Sequence, residues 1–272
     1  MSQRTRPAVA DPPTGDTAGP LAAGTSFEAL RAHAMLPIAL DIDVLAGAYP
    51  DRPEPTRGVH ADGVATAAVA GLRAALSDAR AGNDEVLAMA DPSVLPVAAV
   101  DLRDPIGALA ELDRVAGLGV CAVRLFPGEQ GVEPDFPSVR HIARHATRLG
   151  LVILSGGDVR RFWRPYAGLG ARVVFLDTHF YHLGDFLLVA QDEPGFHTST
   201  RLLNSPDGLE TVAASVGAHR LLFGSGTPFD EVAVPRLRLA RSGLSADQIA
   251  GVAGGHARAL LQQAAAESGG PA

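Results

Sequence analysis

Eight short apolar segments alternate with helix-like segments along most of this chain, and this alternation limits the fold more than any other feature. Read as strands, they are residues 36–47, 63–72, 95–103, 120–127, 151–157, 172–178, 195–200 and 220–226. The segments between them, such as "PIGALAELDRVAGLG" and "FPSVRHIARHATRLG", have the pattern of helices. Eight strands in β-α alternation predict an α/β protein with a closed parallel barrel, the (β/α)8 or TIM barrel, rather than an open sheet.

The two ends of the chain depart from this regular pattern. Residues 1–25 are rich in Pro, Gly, Ala and Thr, which predicts a disordered tail and no signal peptide. A short helix capped by Ser26 is expected next. The interval between the first two strands is short for a crossover helix, so the first βα unit is expected to be truncated. Residues 26–267 would then form a single barrel domain, because such barrels contain ~250 residues.

Composition excludes several classes of function. The net charge is −7 with no block of Lys or Arg, and 5% of residues are aromatic, so no nucleic-acid surface is expected. No apolar run approaches the ~20 residues of a membrane span. The single cysteine, Cys121, allows neither an internal disulfide nor a cysteine-based zinc site, which favours a cytoplasmic protein. We expect a small-molecule substrate, and a homodimer is the commonest assembly for such a chain.

Polar side chains at the carboxyl ends of the strands are the candidates for chemistry, because (β/α)8 enzymes have their active sites there. Asp41 and Asp43 share one face of the first strand by the two-residue period. Arg124 interrupts the apolar strand "VCAVRLF", where a lone charge must be paired or must line a cavity. The sequence "DTHFYH", residues 177–182, gathers one carboxylate and two imidazoles at the end of the sixth strand.

Several of these residues also have purely structural interpretations. Either aspartate of the first strand can cap a loop or pair with an arginine. His197 in the seventh strand has the pattern of an ordinary core histidine. His141 and His145 have the spacing of a metal-binding pair on a helix, but the basic sequence "SVRHIARHATR" favours a solvated outer face.

Two stretches make the chain resemble the amidohydrolase-related family, the metal-dependent (β/α)8 hydrolases and decarboxylases of the amidohydrolase superfamily. The first runs from "GNDEVLAMADPSVLPVAAVDLRD" to "GVCAVRLFP"; the second is "HRLLFGSGTP", followed by "GLSADQIAGVAGGHARALL". The resemblance spans roughly residues 36–262. It implies a TIM barrel and an active site at the mouth of that barrel.

The chain also departs from the family's metal-binding pattern. The family's first strand typically reads Asp-x-His-x-His; here Asp41 is kept, but Asp43 and Leu45 stand at the histidine positions. The eighth-strand aspartate, a ligand and general base in the family, falls on Gly226 of "GSGTP". Neither Leu45 nor Gly226 can coordinate a metal through its side chain.

The fifth and sixth strands lack the family's usual histidines as well. "LVILSGG" ends at Ser155, and "VVFLDTH" carries Asp177 with His179 two residues later. A catalytic zinc site needs about three protein ligands. We therefore expect no metal or other cofactor; the residual alternative is a divalent metal at Asp43, Asp177 and His179.

Three functions remain open on this basis. The first is a metal-independent enzyme that performs hydrolysis, decarboxylation or elimination on a small polar or carboxylate substrate by acid–base chemistry. The others are a metal-dependent hydrolase with rearranged ligands and a non-catalytic binding or regulatory barrel. In the first, the candidate catalytic residues are His179, Asp177 and Asp43. The candidate substrate-binding residues are Arg124, Ser155, His182, Thr198, Ser225 and Thr227.

Overall fold

A parallel eight-stranded sheet forms the centre of the protein. The structure is a computed structural model, which describes residues 35–51 and 59–268. The strands pair in chain order from first to eighth, each parallel to the next. They are β1 (Asp41–Ala46), β2 (Ala67–Gly71), β3 (Val94–Ala99), β4 (Ala122–Leu125), β5 (Val152–Ser155), β6 (Val173–Phe175), β7 (Phe196–Ser199) and β8 (Leu221–Leu222). The predicted (β/α)8 barrel is therefore confirmed.

Helices lie between successive strands from β2 onwards and cover the outside of the sheet. They are α1 (Leu72–Leu76), α2 (Ala79–Ala88), α3 (Pro105–Gly117), α4 (Pro137–Arg148), α5 (Val159–Phe162), α6 (Leu183–Asp192), α7 (Gly208–Ser215), α8 (Ala233–Ala240), α9 (Ala246–Ala250) and α10 (His256–Ser268). Local sequence explains several starts: Asp104 caps α3 ahead of Pro105, and Ser245 forms a capping box with Gln248 at α9.

The connection between β1 and β2 differs from the others. No helix occurs in its described parts, residues 47–51 and 59–66, as expected for a truncated first βα unit. The predicted tail over residues 1–25 and most of the helix after Ser26 lie outside the described residues. Of the described helices, none is long and apolar enough to cross a membrane.

The segment after β8 closes the barrel against β1. The Phe223 carbonyl accepts from the Ile42 N–H at 2.9 Å, and the Thr227 carbonyl accepts from the Leu45 N–H at 2.8 Å. In the opposite direction, the Gly226 N–H donates to the Asp43 carbonyl at 2.9 Å. The "GSGTP" turn is thus held directly beside the strand that carries Asp41 and Asp43.

Alternation along the strands decides which side chains enter the barrel. In β4, Val123 and Leu125 pack outwards with helix residues such as Leu112 and Ile142. Ala122 belongs to the inner cluster, and Arg124 has the same parity. The guanidinium of Arg124 therefore projects into the barrel, where it meets a carboxylate from the opposite side.

Candidate active site

A cavity of about 370 Å³ opens at the carboxyl ends of the strands. Its charged lining is formed by Arg124, Asp177, Arg201 and Asp230, with Asp51 and Glu129 towards the rim; Leu45, Tyr49, Phe126 and Phe229 supply its apolar lining. This is the position expected for the active site of a (β/α)8 enzyme.

Asp43 and Arg124 form a buried ion pair at the base of this cavity. Arg124 Nη1 lies 2.5 Å from Asp43 Oδ1, and the two side chains are 6% and 0% exposed. Because β1 and β4 are not neighbours in the sheet, this contact crosses the barrel interior. The lone charge in β4 is therefore paired, and it also lines a cavity.

Arg201, two residues beyond β7, extends this pair into a network. Its Nε lies 3.1 Å from Asp43 Oδ2, and its Nη1 lies 3.5 Å from Asp230 Oδ2. Its Nη2 binds Asp177 Oδ1. The other oxygen of the same carboxylate, Asp177 Oδ2, accepts the Gly157 N–H at 2.7 Å. One guanidinium thus contacts three carboxylates from three different parts of the barrel.

The two guanidiniums determine the ionisation of Asp43. Burial alone would raise the pKa of this carboxyl, but the positive charges of Arg124 and Arg201 together hold the pKa below its usual value. Asp43 is therefore a carboxylate at neutral pH, and its charge balances the arginines that face it.

Asp41, two residues earlier on β1, has the opposite environment. It is fully buried, and its Oδ1 accepts the backbone N–H groups of Asp43 and Ser225, each at 3.1 Å. Burial, helped by the neighbouring charge of Asp43, raises the pKa of Asp41 to about 7. This carboxyl joins β1 to the turn after β8 and is partly protonated at neutral pH.

Most of the hydrogen-bonding capacity of Arg124 remains unused inside the described residues. A guanidinium has five N–H donors, and the hydrogen bond to Asp43 engages one of them. Its Nε is buried without a hydrogen-bond partner, and its Cζ stacks 4.8 Å above the centre of the Phe126 ring. Phe126 packs against the guanidinium, and Arg124 lines the cavity with N–H donors that no described residue accepts.

An aromatic wall stands beside these charges. Tyr49 and Phe229 pack with ring centroids 4.8 Å apart, and the Tyr49 hydroxyl donates to Glu129 Oε1 at 3.3 Å. Burial, followed by the nearby charge of Glu129, raises the pKa of Tyr49 to about 12, so its hydroxyl keeps its proton. The wall offers an apolar surface with one polar edge.

Gly226 has both a special backbone and no room for a side chain. Its φ is +80°, a value that favours glycine. A Cβ built at this position would lie 2.6 Å from Asp230 Oδ2 and 2.7 Å from Arg201 Cδ. The space beside Gly226 in "GSGTP" is thus filled by the side chains of Asp230 and Arg201.

The predicted histidines lie near the mouth but are not among the residues that line the cavity. His179 begins a 3-10 turn, Phe180–His182; its ring stacks on Tyr181 at 4.7 Å, and its Nδ1 accepts the Tyr181 N–H. His182 Nδ1 lies 3.5 Å from Asp158 Oδ1. The structure therefore brings together Asp43, Asp177 and Arg124 but not the imidazoles, whose catalytic role stays a prediction.

The predicted hydroxyl groups are buried and bonded within the protein. Ser155 Oγ lies 2.8 Å from the Tyr166 hydroxyl, and Ser225 Oγ donates to Thr227 Oγ1 at 2.8 Å. Thr198 Oγ1 faces backbone carbonyls at 3.4 Å. None of these hydroxyls lines the main cavity. Their role in substrate binding stays a prediction.

The residues at the strand ends do not fit a divalent metal ion. Each carboxylate oxygen of Asp43 faces a guanidinium nitrogen, and Arg201 also binds Asp177. His179 does not join these carboxylates. Within residues 35–51 and 59–268, no group of three or more His, Cys, Asp or Glu side chains is arranged to hold a metal. The positive charge at this site comes from the arginines.

Arg201 is the residue of this site that the sequence interpretation did not identify. In "HTSTRLLN" it looks like an ordinary polar loop residue. One signal was available: Arg201 lies just past the seventh strand, at the end of the barrel where the other polar strand-end residues lie.

Comparisons with known proteins identify relatives by structure. No protein-family model matches the sequence, and no curated protein matches it. The structure is similar to the 2,6-dihydroxybenzoate decarboxylase from Rhizobium, with TM-score 0.61 and 15% identity over 83% of this chain and 98% of that chain.

Two further solved structures have the same barrel. An uncharacterized TIM-barrel protein from Bordetella bronchiseptica has TM-score 0.63 and 18% identity, over 74% of this chain and 79% of that chain. A dihydroxybenzoic acid decarboxylase from Polaromonas, with bound manganese and the inhibitor 2-nitroresorcinol, has TM-score 0.63 and 13% identity, over 83% and 96%. At these identities the likeness shows a shared (β/α)8 fold, in agreement with the resemblance seen in the sequence.

Proposed function

We propose that this protein is an enzyme that binds a small carboxylate-bearing molecule at Arg124 and acts on it by proton transfer, with arginines in place of a metal ion. One observation carries the proposal: within residues 35–51 and 59–268, the nearly buried guanidinium of Arg124 donates one hydrogen bond, to Asp43, although it lines the cavity. A carboxylate is the ligand that fits such a fork with two parallel hydrogen bonds.

The charges around Arg124 limit the class of ligand. Asp51, Glu129 and Asp230 also line the cavity, so a second negative charge on the ligand would meet repulsion. The aromatic wall of Tyr49 and Phe229 instead favours an uncharged body. A small monocarboxylate with an apolar or aromatic body satisfies both conditions. Decarboxylase activity in two of the structural relatives is consistent with a carboxylate-bearing substrate.

Asp177 is the carboxylate that we assign to proton transfer. Its side chain is 32% exposed and lines the cavity, whereas Asp43 has no exposed surface and serves to orient the arginines. Arg201 and the Gly157 N–H fix the position of Asp177. The guanidiniums supply the positive charge that stabilises a developing negative charge on the substrate. Such a site supports hydrolysis, decarboxylation or elimination.

A binding assay tests this proposal. A panel of small monocarboxylates and their neutral amides is measured by calorimetry against the wild type, Arg124→Lys and Arg124→Ala. We expect at least one acid to bind the wild type and its amide to bind much more weakly. Arg124→Lys keeps the charge beside Asp43 but loses the planar fork, so it should bind about tenfold or more weaker. Arg103→Ala, which removes an exposed arginine paired with Asp101, is the matched control.

Metal dependence is measured on the same samples. Turnover of a bound acid should survive exhaustive chelation, with elemental analysis confirming that divalent metal is gone. Unchanged binding in both Arg124 variants would contradict the assignment of the carboxylate site. Activity that disappears on chelation and returns with zinc or manganese would favour the metal-dependent alternative.

A non-catalytic binding barrel is the second candidate, and one observation favours it. Arg201 pairs with both Asp43 and Asp177, so each of these carboxylates already has a positive partner within the protein. In that case the same acids would bind with the same dependence on Arg124. They would be recovered chemically unchanged after long incubation with the protein.

A further inference from the structure

Arg201 lies at the centre of three carboxylates. They come from β1, from the end of β6 and from the loop after β8, so the arrangement depends on three distant parts of the chain. The carboxylates are those of Asp43, Asp177 and Asp230. Asp43 first, and then the other two, raise the pKa of the guanidinium, which therefore stays charged. Arg201 acts here as one cation shared by three anions.

The side chain of Arg201 also fills the space that the backbone leaves at the centre of this group. Its Cδ and Nη1 would lie 2.7 and 3.2 Å from a Cβ at Gly226. The nearest atom to that Cβ would be Asp230 Oδ2, at 2.6 Å. A side chain at position 226 would therefore have to displace Arg201 and Asp230 from their contact.

We infer that Arg201 is a built-in replacement for an external cation and is a positioning residue for Asp43 and Asp177. Its removal would leave three carboxylates facing a cavity open to solvent, with Asp43 deprived of one of its two positive partners. Asp177 and Asp230 are 32% and 54% exposed, so both can move towards the vacated position. The resulting site would take a divalent cation.

The donor set specifies the class of that cation. Three carboxylates are hard oxygen ligands, which suit Mn²⁺, Ca²⁺ and Mg²⁺, with water filling the other coordination positions. No imidazole or thiolate is present to favour zinc. Mn²⁺ is the useful probe because its binding can be followed both by calorimetry and by electron paramagnetic resonance.

The test is a gain of function in the purified chain. Mn²⁺ alone is titrated into the wild type, Arg201→Ala, Arg201→Lys and the double variant Arg201→Ala/Asp177→Asn. We expect one Mn²⁺ per chain in Arg201→Ala, bound at least about tenfold more tightly than any site in the wild type. Arg201→Lys keeps a positive charge and should bind no Mn²⁺ there. The double variant should lose the new site.

Arg103→Ala serves as the control, because it removes an exposed arginine whose acidic partner is the single carboxylate of Asp101. If Arg201→Ala does not fold in the absence of Mn²⁺, Mn²⁺ is added during refolding. It should restore the native circular dichroism of Arg201→Ala and not that of the double variant. The inference is overturned if the folded variant binds Mn²⁺ no better than the control, if the wild type already binds it equally well, or if Mn²⁺ rescues neither variant. Because Mn²⁺ is the only probe, the result does not depend on which molecule binds Arg124.

Discussion

Two buried carboxyls of β1, those of Asp41 and Asp43, have contrasting surroundings. Asp41 and Asp43 are both fully buried and only two residues apart. At Asp41, burial dominates and raises the pKa to about 7. At Asp43, the charges of Arg124 and Arg201 outweigh burial and lower the pKa. Burial alone therefore does not fix the charge state of an aspartate in this barrel. The nearby guanidiniums do.

The largest expected effect comes from removing the carboxylate charge of Asp43. Asp43→Asn leaves Arg124 and Arg201 facing each other without the carboxylate that neutralises them. A broken buried ion pair costs about 3–5 kcal/mol of unfolding free energy. Denaturant unfolding of the variant at pH 7 measures this loss. Arg73→Ala, which removes exposed ion pairs to Asp78 and Glu85, is the control and should cost less than about 1 kcal/mol. Equal losses in the two variants would contradict the contrast between a buried and an exposed pair.

The raised pKa of Asp41 should make the free energy of unfolding depend on pH. Because the pKa of Asp41 is raised on folding, the folded state binds the extra proton, so this group makes stability fall as pH rises between about 4 and 7. Its contribution changes by up to about 1.4 kcal/mol per pH unit in that window. Asp41→Asn should flatten the wild-type curve there and lower stability less at pH 8 than at pH 5. Unfolding midpoints from pH 3.5 to 8 measure it; an unchanged slope would contradict the assignment.

The opposite sign holds for Asp43. Its folded pKa lies below the unfolded value, so its stabilising contribution is present above about pH 4 and is lost as pH falls through the folded pKa. The same series of midpoints, extended down to about pH 2, separates the two aspartates, since their windows lie on opposite sides of about pH 4.

The smallest expected effect tests how Arg201 and Asp230 pack against Gly226. Gly226→Ala adds a methyl group at φ +80°, within 3 Å of Arg201 Cδ and Asp230 Oδ2. Backbone strain and crowding should cost about 1–3 kcal/mol of unfolding free energy. In an Arg201→Ala background the crowding is partly removed, so the two changes should couple by about 0.5 kcal/mol or more. Simple additivity in thermal or denaturant unfolding would show that Arg201 does not fill that space.

The sequence predicts the barrel well because its signal is periodic and repeated. Each strand is a short apolar run, and local caps such as Asp104 and Ser245 mark helix starts. Asp43, Arg124 and Asp177 could also be found, since their position at strand ends implies a common mouth. Arg201 could not be assigned a role from spacing alone, because its three partners are distant in the chain. His179 shows the reverse: it is adjacent to Asp177 in sequence, yet its ring stacks on Tyr181 instead of lining the cavity.

Closure of the barrel by the "GSGTP" turn has a consequence for folding. The Asp43–Arg124 contact spans 81 residues of chain, and the Asp41–Ser225 contact spans 184. Contacts of such high sequence separation carry a loop-closure entropy that local contacts do not, which slows folding. The Asp41–Ser225 contact and the pairing of Arg201 with Asp230 also require the segment after β8, so a chain that ends before its eighth strand lacks these two parts of the site.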